Sequence, residues 1–223
     1  MGEALLIFLS VLGAFYIDNY REEQNREKQY IQHLTDFRSD LVTNQGKLGF
    51  ELASPFDSVT NRGYLTKQIS QLAVIDSLLR LNPSDSEAIL LEMFNNGAIV
   101  GLTEWIFTSP QYKKLSSEYY SYLRNDSLRD MLEMHYRNNT GRQGFKGAIN
   151  DQISKYQIIQ DRLNLSDPND RKNRAILFSN ESKNKLSRIR STYEALKLFT
   201  QLNKSNDSLL LIQVEKELAD WGE

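Results

Sequence analysis

The chain has 223 residues, of which 40% are hydrophobic, and its 27 basic and 29 acidic side chains give a net charge of −2. This length is enough to bury a core, whereas the balanced charge lacks the concentrated basic face that a nucleic-acid partner requires. The absence of cysteine excludes disulfides, thiolate catalysis and zinc–thiolate sites, and with only two histidines we expect no metal site and no cofactor.

The N-terminal segment is the most apolar part of the chain. Residues Ala4 to Ile17 carry no charge and include one glycine, Gly13, before the polar run Asp18–Glu23 begins. The chain as a whole has a mean hydropathy of −0.52. This contrast predicts a membrane anchor over residues 1–17, about 25 Å long against a hydrocarbon core of about 30 Å. A stalk and a soluble helical-bundle domain are predicted over residues 18–223.

Other interpretations of this segment stay open. A cleaved signal peptide should begin with basic residues and end on small ones, but Glu3 and the bulky run Phe15–Ile17 occupy those places. The segment is otherwise a buried helix of a soluble protein, or it follows a basic lead upstream of Met1. Of these interpretations, we expect the uncleaved anchor.

The four prolines divide the rest of the chain into long stretches that favour helices. Ser54 and Pro55 predict the start of a second helix that ends at Asn82 and Pro83, and the capping box from Ser84 to Glu87 predicts a third helix through Met93. Before them, an apolar seam with spacings of four and three predicts a stalk helix, which Gly46 and Gly49 are expected to weaken or end. The seam consists of Tyr30, Leu34, Phe37, Leu41, Asn44 and Leu48.

The second half of the chain also predicts helices. Residues 98–109 show no period and are expected to be irregular, and helical character resumes from Pro110 to Tyr122. Asn125 and Asp126 predict the cap of a long helix, which we expect three glycines to interrupt or soften: Gly141, Gly144 and Gly147.

Asn180 is predicted to cap a final helix, which continues after a polar break at residues 204–207 and has a buried stripe that includes Leu196 and Leu202. No segment alternates polar and apolar residues as a strand does. The predicted fold is therefore all-α, an N-terminal membrane helix that continues into an antiparallel helical-bundle body.

Four residues of the anchor are candidates for contact with another membrane helix. Glu3 is an intramembrane carboxylate if the chain extends upstream, and such residues mark partners or proton paths. Otherwise it lies at the level of the lipid headgroups. Ser10, Gly13 and Ala14 place small residues close together, which lets membrane helices approach each other, although small residues also face lipid.

An aromatic cluster between residues 105 and 136 is the candidate partner-binding surface. Tyrosine and tryptophan combine apolar bulk with a hydrogen-bonding tip, which suits interfaces. Packing between helices is the competing explanation for each side chain. The principal residues of this surface are Trp105, Tyr112, Tyr119 and Tyr122.

Both histidines have carboxylates nearby in sequence, Asp36 for His33 and Glu133 for His135. Such pairs can support acid–base catalysis, but a lone histidine on a helix flank ordinarily has a structural role. We therefore expect no catalytic residue and no enzymatic activity.

Two blocks of sequence carry a family resemblance. The first runs from Gly2-Glu3 through Gly13 to Ile17-Asp18-Asn19-Tyr20-Arg21-Glu22-Glu23, and the second comprises Thr108 to Ser117 and Leu123 to Arg129. They resemble the Gly-Glu pair, the Ile-Asn-Asn-Trp-Asn-Glu exit and the Thr-Tyr-Glu-Glu-Leu-Lys-Ser-Ser-Gly run of a Bacteroidota family known as domain of unknown function 6090. The chain departs from that pattern at Glu118, where the family often has glycine, and in lacking a basic lead. The resemblance implies an inner-membrane protein with a helical body outside the cytoplasm, and it implies no catalytic residues.

Charge and resemblance disagree about orientation. Arg21, Arg26 and Lys28 follow the anchor and no basic residue precedes it, which favours a cytoplasmic body. The family's basic lead favours a periplasmic body, and we expect a single-pass protein of the bacterial inner membrane with its soluble body in the periplasm.

The predicted function is that of a non-enzymatic, membrane-anchored interaction protein, an accessory or scaffold subunit of an envelope membrane complex. Its expected partners are membrane lipid and either a membrane protein or a second copy of the chain. The alternative is a periplasmic helical bundle that senses or binds small molecules.

Overall fold

The structure is a computed structural model that describes residues 2–53, 63–81, 86–95, 110–164, 166–167 and 170–222. These residues form helices and no strand, which confirms the all-α prediction for the described ranges. Within these ranges lie seven α-helices: α1 Gly2–Leu52, α2 Tyr64–Leu81, α3 Ser86–Asn95, α4 Pro110–Ser117, α5 Asp126–Gln160, α6 Arg171–Leu177 and α7 Asn180–Asp220. A 3₁₀ turn spans Tyr120–Tyr122.

Helix α1 is continuous for 51 residues. Gly46 and Gly49 do not end it, because Asn44, Leu48 and Glu51, which lie before, between and after them, are buried and hold the helix by packing. All six seam residues, from Tyr30 to Leu48, are at most 1% exposed, which confirms the predicted seam.

The predicted start of the second helix at Ser54 and Pro55 lies outside the described residues. Gly63 precedes α2 and donates its N–H to the carbonyl of Leu52 at 3.1 Å. A Cβ atom at Gly63 would lie 2.1 Å from the backbone carbon of Leu52 and 2.4 Å from the nitrogen of Ala53. Glycine is required there because the two backbones approach too closely for any side chain.

Helix α5 corrects the prediction that glycines interrupt it. It runs unbroken through all three glycines, since buried residues before and after them tie this helix to the core. Its start agrees with the prediction: the side-chain Oδ1 of Asn125 accepts the N–H of Leu128 at 3.3 Å.

Helix α7 differs from the prediction in three details. Its N-terminal cap is Ser179, whose Oγ accepts the N–H of Ser182 at 3.1 Å, one residue before Asn180. The predicted break at residues 204–207 is wrong, because Asp207 lies in phase with the buried stripe of an uninterrupted helix. Leu202, expected on the buried stripe, is 60% exposed instead.

The chain divides into two compact units. Unit 1 comprises Met1–Thr43, Thr108–Met134 and Ser208–Glu223. Within it α1 and α7 run antiparallel, as Tyr30 contacts Glu217 and Arg38 contacts Glu215. Its core includes Tyr30, Leu34, Phe37, Leu41, Leu115, Tyr119, Leu123, Leu128, Leu132, Leu210, Val214 and Leu218.

Unit 2 comprises Asn44–Phe107 and His135–Asp207. Helices α5 and α7 run antiparallel in it, because Gln152 meets Thr192 and Tyr156 meets Ser182. Its core includes Leu65, Leu72, Ile75, Leu79, Ile89, Leu90, Ile149, Ile153, Tyr156, Ile159, Leu163, Leu177, Leu186, Ile189, Tyr193 and Leu196.

None of the helices in the described ranges combines the length and the apolarity that a membrane crossing needs. The predicted boundary between anchor and body, at residues 17 and 18, lies inside the continuous helix α1. The membrane helix therefore stays a prediction.

Candidate functional site

The N-terminal part of α1 exposes apolar side chains on every side of the helix. The exposed fractions of these side chains lie between 47% and 75% for Leu6, Ile7, Phe8, Leu9, Val11, Leu12, Phe15, Tyr16 and Ile17. The hydroxyl of Ser10 donates to the carbonyl of Leu6 at 2.8 Å, and a Cβ at Gly13 would meet nothing within 4 Å. Ala14 is exposed. The backbone of Glu3 belongs to α1. Their predicted contact with another membrane helix stays a prediction.

Unit 1 contains an open groove of about 720 Å³ with a mixed polar and aromatic wall. This volume lies within the range of small-molecule sites, which is roughly 300–1,000 Å³. The groove is lined by Glu23, Arg26, Glu27, Gln29, Glu118, Tyr119, Ser121, Tyr122, Arg124 and Trp221.

A buried carboxylate, Glu217 on α7, organises the wall of this groove. Its side chain is fully buried, and its Oε1 accepts the hydroxyl of Tyr30 at 2.8 Å, the N–H of Arg124 at 2.8 Å and the indole N–H of Trp221 at 3.3 Å. Its Oε2 accepts the N–H of Asn125 at 3.1 Å. These backbone donors stand at the start of α5, where N–H groups have no partner within the helix and attract negative charge.

The aromatic rings of the wall pack on one another around Tyr30. The ring of Tyr30 stacks on Tyr122, with centroids 5.8 Å apart, and lies 5.3 Å from Trp221. The Arg124 guanidinium lies 3.6 Å above the Trp221 ring, a cation–π arrangement. Burial, and then the hydrogen bond to Glu217, raises the pKa of Tyr30 well above its ordinary value, so this phenol remains a neutral donor.

The predicted aromatic surface is only partly available to a partner. Tyr119 is 6% exposed and donates its hydroxyl to Gln29 at 2.9 Å. Tyr112 and Tyr122 are half-buried, and Tyr122 donates to Glu23 at 2.8 Å, a hydrogen bond that raises its pKa. Trp105 lies outside the described residues. Tyr119 and Tyr122 thus form the groove wall, and the role of all four residues in partner binding stays a prediction.

Unit 2 contains a buried charged cluster that the sequence analysis did not identify. Glu51 on α1 pairs with both Arg142 and Lys146 on α5, the latter at 2.9 Å, and all three are at most 5% exposed. The Nε of Arg142 also donates to the hydroxyl of Thr200 on α7 at 3.4 Å. Buried charges are tolerated only when they are paired. The cluster therefore holds α1, α5 and α7 together where Glu51, Arg142 and Thr200 meet.

The histidines have partners other than those nearest in sequence. His135 is 3% exposed and lies 2.6 Å from Asp207 through its Nδ1, and its Nε2 lies 3.0 Å from Asn139. His33 contacts Gln111 at 2.9 Å. No group of three metal-ligating side chains occurs within the part of the chain that the structure describes.

The sequence contains a signal for the burial of three carboxylates, those of Glu51, Asp207 and Glu217. Each lies in phase with the apolar seam of its own helix, four residues or three from buried positions such as Leu48 and Val214. A carboxylate in phase with a seam points to the core and requires buried donors, but the sequence does not reveal which donors these are.

Comparisons of the chain with protein-family models, with curated proteins and with solved structures find no significant match.

Proposed function

We propose that the chain is a single-pass protein of the bacterial inner membrane, with its soluble body in the periplasm. In this proposal it is a non-enzymatic accessory or scaffold subunit of an envelope complex. The exposed apolar end of α1 is the observation that carries the proposal. Full burial of one large apolar side chain is worth about 1.5–3 kcal/mol, so covering nine of them is worth on the order of 10 kcal/mol.

The chemistry of this end suits lipid on all sides. Apolar residues surround the helix from Leu6 to Ile17 instead of forming one stripe, which is typical of a helix immersed in an apolar medium. Tyr16 and Tyr20 lie at the polar end of this segment, and tyrosine is enriched at membrane interfaces. The resemblance to domain of unknown function 6090 is part of the same proposal and gives its orientation.

Vesicle flotation tests the anchor. The full chain should float with phospholipid vesicles, and the double variant Leu9→Glu/Leu12→Glu should remain at the bottom of the gradient. A matched control, Leu198→Glu/Leu202→Glu, places the same charges on exposed leucines of α7 and should float. A wild-type chain that does not float would overturn the anchor.

The cysteine-free chain allows a direct test of orientation. A single cysteine at the exposed position Ser154 on α5 should react with a membrane-impermeant maleimide in cells whose outer membrane alone is permeabilised. Reaction only after lysis of the inner membrane would place the body in the cytoplasm.

The scaffold role is supported by an exposed apolar stripe on α7. Within unit 2, two of its side chains lie one turn apart on one helical face and are between 60% and 63% exposed: Leu198 and Leu202. A photocrosslinking residue at Leu202 should give one discrete product in membranes, either with a partner protein or with a second copy. The same residue at exposed Lys204, about 160° around the helix from Leu202, should give none. No product at Leu202 would remove the support for docking through this face.

The second candidate function is that of a ligand-binding helical bundle. The observation that favours it is the groove of about 720 Å³, whose wall contains carboxylates as well as a guanidinium. The two candidates are compatible, because the groove and the α7 stripe use different side chains.

A further inference from the structure

The groove in unit 1 begins a short distance along α1 from the exposed apolar segment. Glu23 and Glu27 lie about 9 and 15 Å beyond Ile17 at about 1.5 Å per residue, within the same unbroken helix. The polar zone of a bilayer is about 5–7 Å thick on each side of the hydrocarbon core. If α1 is inserted as proposed with a tilt of about 40°, within the range of membrane helices, Glu23 stands about 7 Å above the hydrocarbon core and the groove opens at the outer edge of the lipid headgroups.

The cationic part of the groove is Arg124. Its guanidinium donates to the carbonyl of Asp220 at 3.2 Å and covers the Trp221 ring, and it forms no ion pair with a carboxylate among the described residues. A planar guanidinium binds phosphate oxygens through two parallel N–H donors. Arg26, the other lining cation, is already paired with Glu22 at 2.6 Å. Arg124 is therefore the group best placed to bind a phosphate.

The same groove contains three carboxylates, on Glu23, Glu27 and Glu118. Glu23 is held by the hydroxyl of Tyr122, and Glu27 accepts a hydrogen bond from Gln24 at 3.3 Å. Carboxylates beside aromatic rings suit a small cation, and a primary ammonium can donate three hydrogen bonds to them. A ligand with a single negative charge would meet repulsion from these three groups.

We propose that the groove binds the headgroup of a zwitterionic aminophospholipid, with its phosphate at Arg124 and its primary ammonium among the three carboxylates. This inference rests on the proposed membrane anchoring, which brings the groove to the headgroups. A primary ammonium is preferred over a quaternary one because only the former donates hydrogen bonds. Phosphatidylethanolamine therefore binds better than phosphatidylcholine, and phosphatidylglycerol, which lacks the ammonium, binds worst.

A soluble headgroup tests the site without a membrane. The full chain, kept in a maltoside detergent, is titrated calorimetrically with glycerophosphoethanolamine and separately with glycerophosphocholine, ethanolamine and inorganic phosphate. Saturable binding is expected for glycerophosphoethanolamine, at least tenfold tighter than for each of the other three. Equal binding of inorganic phosphate would overturn the headgroup assignment in favour of a simple anion site.

Variants assign the roles within the groove. Arg124→Gln and Glu23→Gln should each weaken binding of glycerophosphoethanolamine at least tenfold, whereas Arg38→Gln, an exposed cation of unit 1 outside the groove, should leave it unchanged. Near-ultraviolet circular dichroism verifies that each variant keeps its aromatic packing. Unchanged binding by both groove variants would overturn the proposal.

Flotation separates failure of the site from failure of the anchor. With vesicles of phosphatidylcholine doped with phosphatidylethanolamine, the chain should float, and Glu23→Gln should lower its affinity for these vesicles toward that for pure phosphatidylcholine. A chain that floats on no vesicle refutes the anchor and with it the lipid as the source of the headgroup. A chain that floats equally on all vesicles and shows no heat with glycerophosphoethanolamine refutes the headgroup site alone.

Discussion

Replacing the buried carboxylate of Glu217 by an amide is expected to destabilise unit 1 although the side chain keeps its shape. Glu217→Gln leaves one acceptor oxygen where two now serve four donors: Tyr30, Arg124, Asn125 and Trp221. Whichever way the amide turns, its NH₂ group meets an N–H or O–H donor that it cannot satisfy.

The magnitude follows from the number of bonds affected. A buried donor without a partner costs about 1–3 kcal/mol, and the remaining hydrogen bonds lose the charge that makes them stronger, by about 1 kcal/mol in total. We expect a loss of about 2–4 kcal/mol. At about 2 kcal/mol per molar urea, this shifts the unfolding midpoint of unit 1 down by about 1–2 M.

Urea titration of a Trp105→Phe background measures this loss, because Trp221 then reports unit 1 by its fluorescence. The matched control is Glu215→Gln on the same helix, since Glu215 is 49% exposed and pairs with Arg38 at the surface. That change should cost less than about 1 kcal/mol. If Glu217→Gln and Glu215→Gln unfold at the same urea concentration, the carboxylate of Glu217 does not hold these donors in the groove wall.

Three further predictions concern unit 2. Glu51→Ala should lower the free energy of unfolding, measured in urea, by about 3–5 kcal/mol, because it leaves two buried cations without their carboxylate. A loss below about 1 kcal/mol would contradict the buried cluster. Gly144→Ala should raise the free energy of unfolding by about 0.5–1 kcal/mol, since its Cβ meets open space, whereas Gly141→Ala should gain less because its Cβ would lie 3.3 Å from a ring of Phe199; the opposite order would show that the helices pack differently there. Burial raises the pKa of Tyr156 to about 12, so its stabilising contribution is complete below the unfolded pKa of about 10 and is lost as pH rises from there through 12. Tyr156→Phe should therefore shift alkaline unfolding, followed by circular dichroism, to higher pH, and an unchanged midpoint would refute this.

The sequence predicted the parts of the fold that depend on local periodicity. The seam from Tyr30 to Leu48 and the cap at Asn125 are properties of residues three or four apart, which a helix brings together by itself. The three glycines of α5 misled the prediction because glycine is unfavourable in a helix by only about 1 kcal/mol. Packing of Ile149 and its neighbours outweighs that cost.

The candidate site could not be predicted in the same way, because its contacts are distant in sequence. Glu217 accepts from Tyr30, 187 positions away, and from Arg124, 93 positions away. No local pattern specifies such pairs, and the partner of His135 was sought at Glu133 although the fold supplies Asp207. The sequence predicts the aromatic cluster, but only the tertiary structure shows which of its rings are buried and which line the groove.

The unbroken course of α1 makes the apolar segment and the groove rotate as one body. Each inserted residue in a helix turns everything beyond it by about 100° and advances it by about 1.5 Å. One alanine inserted after Asp18 would leave the seam from Tyr30 onward in place and turn the whole apolar end relative to the groove. Seven inserted alanines would restore its original direction to within about 20° while moving it about 10 Å farther away. The direction of the apolar end and its distance from the groove can thus be varied separately in this protein. A binding property that is lost with one inserted alanine and returns with seven would depend on that direction.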